Sequence, residues 1–529
     1  MGILLRLYNV SEIPPGINRD EGSIGYTAYS LLKSGKDEYG ISYPLSFQSF
    51  GDWKLPLYIY STVPFVAIFG LTELSVRLTS IIAGIGTIIL TFFLVKELFK
   101  NNFLSLMAMF LIAISPWHIH LSRVESESNT AVFLTTASVL LFLKGIQNRN
   151  WLFIPSLILL ALTYYTYAGN YIFTTLLFFG FAICFYKSIP KSRTTYIALA
   201  CFAVLSLIIF SQTVFSANKT KLSGISIFGD PSVVHAKIEL PRNEHNDMLF
   251  KRIIHNRPVF ALERMTQNYL NSFSPDFLFI NGGTNKAHNI QNFGNMYIVE
   301  SVFLLLGFIF VFTRKNKREY KLILLWFLIA PIAAIITKDA PHTNRMFAIF
   351  PALPIITAFG FYSFWERIKN NPIKKIMIII VGTIFLFNVL LYLDRYFIHF
   401  PRNEVKNWGF GYKNLNMILE ERYPAKSVVM AAPTHSPYIF LLFYSGYSPS
   451  KFSSEAVRYP ITEDGFIHVK SYQRFEFRDI DWSKDIERPN SVLVANPSEI
   501  PPFYMSDEFK KSFINLPNGE RMFAIIETQ

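Results

Sequence analysis

Cysteine is almost missing from this chain. Its 529 residues include 2, Cys184 and Cys201, and both lie inside apolar runs. That excludes a disulfide framework and a cysteine-based metal site. Acidic residues are in the minority, with 37 Asp and Glu against 50 Lys and Arg. No block of Lys and Arg interleaved with aromatics marks a nucleic-acid groove, so nucleic acid is not an expected partner. No glycine-rich loop follows a strand, which argues against a soluble nucleotide-sugar site. Internal repeats and low-complexity segments are missing too. No signal peptide is visible, and none is needed if a first span serves as the address.

What the chain has in excess is apolar length. It is 51% hydrophobic and carries 52 phenylalanines. Runs of about 17–25 apolar residues recur, the length that crosses roughly 30 Å of hydrocarbon. Spans are expected at 76–99, 103–119, 129–145, 151–167, 170–187, 194–214, 296–313, 321–337, 345–364 and 374–397. The net charge of +13 then reads as Lys and Arg gathered in cytoplasmic loops. Orientation follows from where they fall. With residues 20–55 outside, Lys96, Lys100, Lys144, Arg149, Lys187, Lys191, Arg193 and the run "RKNKREYK" fall on the inner side only if "PLYIYSTVPFVAIFG" (56–70) lies at the interface and does not cross. Residues 20–55, the loop 216–295 and the tail then lie outside. An exoplasmic position for Asp20 requires a span before it. "MGILLRLYNV" is half of one, so a further first helix upstream is expected, making eleven spans.

The expected architecture is an α-helical polytopic domain over 1–400 and a small extracytoplasmic α/β domain over 401–529. In the tail, "SVVMAAP" and "SVLVANP" read as buried strands and "HVKSYQRFEFRDI" as one alternating strand. Asn518-Gly519 between two apolar runs signals a hairpin.

Five polar clusters fall on the expected outer face: Asp20-Glu21; Asp52 and Lys54 in "FGDWKLPL"; Arg123, Glu125 and Glu127 in "HLSRVESESN"; Asp276, Lys286 and His288 late in the long loop; and Lys338, Asp339, His342 and Arg345 in "TKDAPHTNR". Each alone is ordinarily a cap, an anchor or a solvated residue. Asp52 with Lys54 could be a weak local pair, and His288 a plain loop histidine. Ionisable groups recurring at one membrane boundary suggest a shared cleft. A carboxylate can take a proton from an acceptor hydroxyl. Arg or Lys can stabilise a departing phosphate. The set suits transfer from a phosphate-linked donor held by lipid. Acids such as Asp20 and Glu127 could also hold a divalent metal, although carboxylates alone are a weak sign.

"RDEGSIGYTAYSLLKSG", "GDWKLPLYIYSTVPFVAIFGLTELSVRL", "ISPWHIHLSRVESESN" and "APHTNRMFAIFPALPIITAFG" resemble glycosyltransferase family 39 of the GT-C superfamily. That group includes protein O-mannosyltransferases and the aminoarabinose transferase of lipid A. The resemblance covers about residues 1–400. It implies a polyprenyl-phosphate sugar donor, an acceptor hydroxyl on a lipid, glycan or protein, and an inverting displacement at the outer face of the cell membrane. By motif, Asp20 stands for the catalytic base and Glu21 for its neighbour. Lys54, Arg123, Arg345 and His342 stand for donor-phosphate ligands, and Glu127 or Glu125, with Asp52 and Asp276, for supporting acids. Lys54 is followed by Leu55 where the family often has proline. Two other classes compete. A flippase of lipid-linked glycans would favour broken helices with polar groups at mid-depth. A non-catalytic glycan-binding scaffold would place its function in the tail.

Overall fold

Proline decides where several of the apolar runs stop being helix. The computed structural model describes residues 1–147, 149–215, 226–244, 251, 253–462 and 465–528. Parts of the expected loop 216–295 therefore lie outside the described residues, as does the side chain of Asp52. The chain begins with α1 (Gly2–Leu7), α2 (Arg19–Ser34), α3 (Pro56–Phe69), α4 (Glu73–Phe99), α5 (Asn102–Ile114), α6 (Pro116–Arg123) and α7 (Glu127–Ile146). Among the described residues, five helices are long and apolar enough to cross a membrane: α4, α7, Asn170–Ser188, Arg193–Gln212 and Asn371–Asn403.

The other expected spans are interrupted. The run 103–119 becomes α5 and α6, bent by 57° where Pro116 removes a backbone donor. Pro331 separates Arg318–Ile329 from Ile332–Ile335. The helix expected from 345 begins only at Ala352, after Pro351. Helix continuity therefore does not separate a transferase from a transporter here.

The chain divides into two compact units. The helical unit comprises Met1–Tyr8 and Ser80–Leu393, and the second comprises Asn9–Thr79 and Asp394–Gln529. This differs from the expected boundary near residue 400, because residues 9–79 group with the tail.

In the helical unit, helices Glu300–Phe312 and Ala352–Arg367 pack backbone to backbone. A Cβ on Gly307 would strike the Ile356 carbonyl, and one on Gly360 would strike that of Phe303. Small residues allow such approach where lipid provides no hydrophobic drive between helices.

The second unit is built on a sheet of seven strands. They are β3 (Ser427–Met430), β4 (Val457–Arg458), β5 (Val469–Tyr472), β6 (Phe475–Phe477), β7 (Ser491–Ala495), β8 (Lys511–Asn515) and β9 (Arg521–Glu527), in the order β4-β5-β6-β3-β7-β9-β8. β3 runs parallel to β6 and β7, and the other pairs are antiparallel. Central strands buried on both faces need continuous apolar sequence. β7 supplies it: Val492 and Val494 enter one core while Leu493 and Ala495 enter the other. The expected hairpin forms, β8 to β9, with Gly519 at φ +85° in the turn. "HVKSYQRFEFRDI" is corrected: it is two antiparallel strands, β5 and β6, folded back at Gln473 with φ +47°. The larger core also takes Ile17, Ile24 and Leu31 from α2 and its approach, together with Ile439, Leu442 and Phe443 of the helix Pro437–Ser445. The apolar face of α2 is thus spent on the tail.

Candidate active site

The start of α2 is fixed by a capping box. Asn18 accepts from the Glu21 amide at 2.8 Å, and the Glu21 carboxylate accepts from the Asn18 amide at 3.2 Å. This locks Asp20 and Glu21 onto the first turn, where acids are favoured by the helix dipole. The two neighbours then part ways. Glu21 is fully buried and gripped from two sides by Arg77: Nε to Oε1 at 2.8 Å and Nη2 to Oε2 at 2.9 Å. The same guanidinium donates to the carbonyls of Val10 (2.6 Å), Pro14 (3.2 Å) and Gly16 (2.6 Å). Glu21 thus ties the first turn of α2 to Arg77 of α4. Asp20 is 54% exposed and accepts from Lys54 Nζ at 2.7 Å.

Lys54 reaches Asp20 from a small hairpin, β1 (Phe47–Ser49) and β2 (Asp52–Lys54), turned by Phe50 and Gly51, both at positive φ. The Ser23 and Ser49 hydroxyls, 2.5 Å apart, tie this hairpin to α2. The Lys54 side chain is only 8% exposed. A buried amine holding an accessible carboxylate is a pair that can exchange one partner for a substrate.

The helical unit holds the second cluster. Arg345 donates to the Asp339 carboxylate and to Thr337 Oγ1. His342 lies beside Asp339, with Nε2 at 3.7 Å. Burial, then the Arg345 charge, pushes the His342 pKa down to about 4, so the ring is neutral at neutral pH. Burial raises the Asp339 carboxyl, but the facing Arg345 outweighs it and holds the group below its ordinary range. Tyr167 interacts with Arg345, Glu127 and Asp339, which brings Glu127 into the same neighbourhood. Asn344 accepts from Ser128 on the first turn of α7. His288 comes within 5.2 Å of His342, ring to ring.

The remaining expected residues are placed differently. Arg123 is fully buried at the end of α6 and donates to the Leu5 carbonyl of α1 at 2.9 Å, tying two helices together. Glu125 is half-buried just before α7. Asp276 is exposed and accepts from the Asn281 amide at 2.5 Å, a local turn contact. Asp20 and Glu127, named for a metal, fall in different units. Among the described residues no three His, Cys, Asp or Glu side chains gather to hold a metal ion. Sequence reading missed Arg77, Asn18 and Tyr167. A lone arginine near the start of the apolar run 73–99 was the available signal for Arg77, and the N-x-x-E spacing was the signal for Asn18.

Residues 54–213 match the family model described as dolichyl-phosphate-mannose-protein mannosyltransferase. The fold is similar to that of ArnT from Cupriavidus metallidurans in the apo state, with a TM-score of 0.54 at 11% identity over 99% of this chain and 96% of that one. The chain has the ArnT fold. The same ArnT bound to undecaprenyl phosphate gives a TM-score of 0.55 at 9% identity over the same shares. No curated protein matches the sequence. With this fold and several helices of membrane-crossing length, it is a multi-pass membrane protein.

Proposed function

We propose that this protein is a GT-C glycosyltransferase that moves a sugar from a polyprenyl-phosphate donor to an acceptor hydroxyl at the extracytoplasmic face of the cell membrane, with inversion. The observation that carries this reading is the division between the two adjacent acids. Glu21 is consumed by Arg77, whereas Asp20 is accessible and held by one buried lysine. In the proposed step the acceptor oxygen attacks the anomeric carbon and Asp20 takes its proton. The bond from that carbon to the phosphate oxygen breaks, and polyprenyl phosphate leaves carrying the electron pair. Lys54 is assigned to that phosphate, because it is a buried cation already holding a carboxylate. Within the helical unit, Arg345, held by Asp339 and supported by Tyr167 beside Glu127, is assigned to anion binding, neutral His342 to hydrogen bonding and Arg123 to positioning. The ArnT bound to undecaprenyl phosphate supports the donor class by analogy of fold.

The test is Asp20→Asn in purified protein supplied with polyprenyl-phosphate sugars, the product read by mass spectrometry. Turnover is expected to fall by roughly 10²–10⁴-fold, the usual worth of a general base. The melting temperature should barely move, since exposed pairs contribute about 0–1 kcal/mol. Turnover within a few fold of the parent protein removes Asp20 from the mechanism.

A further inference from the structure

Away from Asp20, the second unit contains a polar cavity of about 340 Å³ that the reaction above does not use. Its size lies near the lower end of the range for small-molecule sites, roughly 300–1,000 Å³. Two glycine-dependent turns wall it. Gly16, at φ +80°, packs against the Trp408 carbonyl, and Gly409, at φ +55°, packs against that of Ile17 at 2.5 Å from a would-be Cβ. The two turns thus pack backbone against backbone, which fixes this wall of the cavity.

The lining is chemically specific. Glu73 is 7% exposed and meets Lys413 Nζ at 3.3 Å. The Tyr444 hydroxyl is buried beside the Glu73 carboxylate. Glu12 and Asn414 stand exposed at the rim, and Phe410 adds an aromatic surface. Carboxylate, amide, ammonium and phenol together satisfy hydroxyl groups that must both donate and accept, while an aromatic face covers ring C–H bonds. Two acids against one lysine leave the lining net negative, which disfavours a phosphate.

We propose that this cavity is a second carbohydrate-binding site that takes a neutral or amino sugar and rejects phosphorylated ones. Arg77 links it to the first turn of α2. One guanidinium holds Glu21, beside Asp20, and also the Val10, Pro14 and Gly16 carbonyls of the loop that forms a cavity wall. Glu73 stands one helical turn before Arg77 on α4. A sugar bound here is therefore read out by the residue that positions the catalytic turn.

The experiment is saturation-transfer NMR on the full chain in nanodiscs, with no polyprenyl donor present, so that its outcome does not depend on the donor assignment. The probes are methyl α-mannoside, methyl β-galactoside, methyl β-glucosaminide and mannose 6-phosphate. At least one of the first three should bind in the millimolar range, with mannose 6-phosphate at least tenfold weaker. Asn414→Trp, at an exposed rim position that tolerates substitution, should weaken binding at least tenfold, and Glu73→Gln at least threefold. The proposal is overturned if none of the three unphosphorylated glycosides binds, if the phosphate binds as well as they do, or if Asn414→Trp leaves the dissociation constant unchanged.

Discussion

Replacing Arg77 with Met should be the most damaging single change in the second unit, and its cost follows from the contacts. Five hydrogen bonds disappear, two of them to Glu21 and three to backbone carbonyls. Glu21 is left buried at 0% exposure without its counter-charge. Removing one partner of a buried pair typically costs about 3–5 kcal/mol. The orphaned carbonyls add less, about 1 kcal/mol each at most, because the loop that carries them can admit water. For a cooperative unit of about 200 residues, 1 kcal/mol moves the melting temperature by roughly 2–4 °C. Arg77→Met should therefore lower it by about 6–32 °C in detergent. The double variant Arg77→Met with Glu21→Gln removes the stranded charge and should recover more than half of that loss. It should not recover all, since the three carbonyls still lack their donor. The measurement is a double-mutant cycle by thermal unfolding. A loss below about 3 °C for Arg77→Met, or strictly additive effects, refutes the assignment of Glu21 as a residue spent on structure.

Glu38 supplies a pH test. It is 1% exposed, its carboxylate oxygens have no hydrogen-bond partner among the described residues, and burial raises its pKa to about 7 despite the nearby Arg458. The folded state then binds the proton more tightly than the unfolded state, so its contribution is complete below about pH 4.5 and is lost as pH rises to about 7, roughly 3 kcal/mol in all. Glu38→Gln should flatten that part of the stability profile, and an unchanged profile would count against it. His342 acts oppositely. With its pKa near 4 it is held neutral in the fold, and its contribution is lost as pH falls from about 6.5 through 4. His342→Asn should reduce acid sensitivity in that window. Gly360→Val places a side chain against the Phe303 backbone; expression of folded protein should collapse, whereas Gly382→Ala, with open space at its Cβ, should be harmless.

The sequence made the polytopic helical class legible because hydrocarbon thickness imposes a length that composition alone reveals. Short continuous apolar runs disclosed β3 and β7, and Asn518-Gly519 disclosed the hairpin. The acidic pair stood out by its place before an amphipathic helix. What one dimension could not state is which acid would be accessible. Asp20 and Glu21 are neighbours of like chemistry, and only a distant arginine reaching back from α4 distinguishes them. Nor could the sequence show that the apolar face of α2 belongs to the tail's core, because the residues it meets lie some four hundred positions later. Local rules such as length, alternation and capping are written in the order of residues. Partnerships between remote charges and faces are chosen by packing, since each buried charge and apolar surface must find its complement wherever the chain returns.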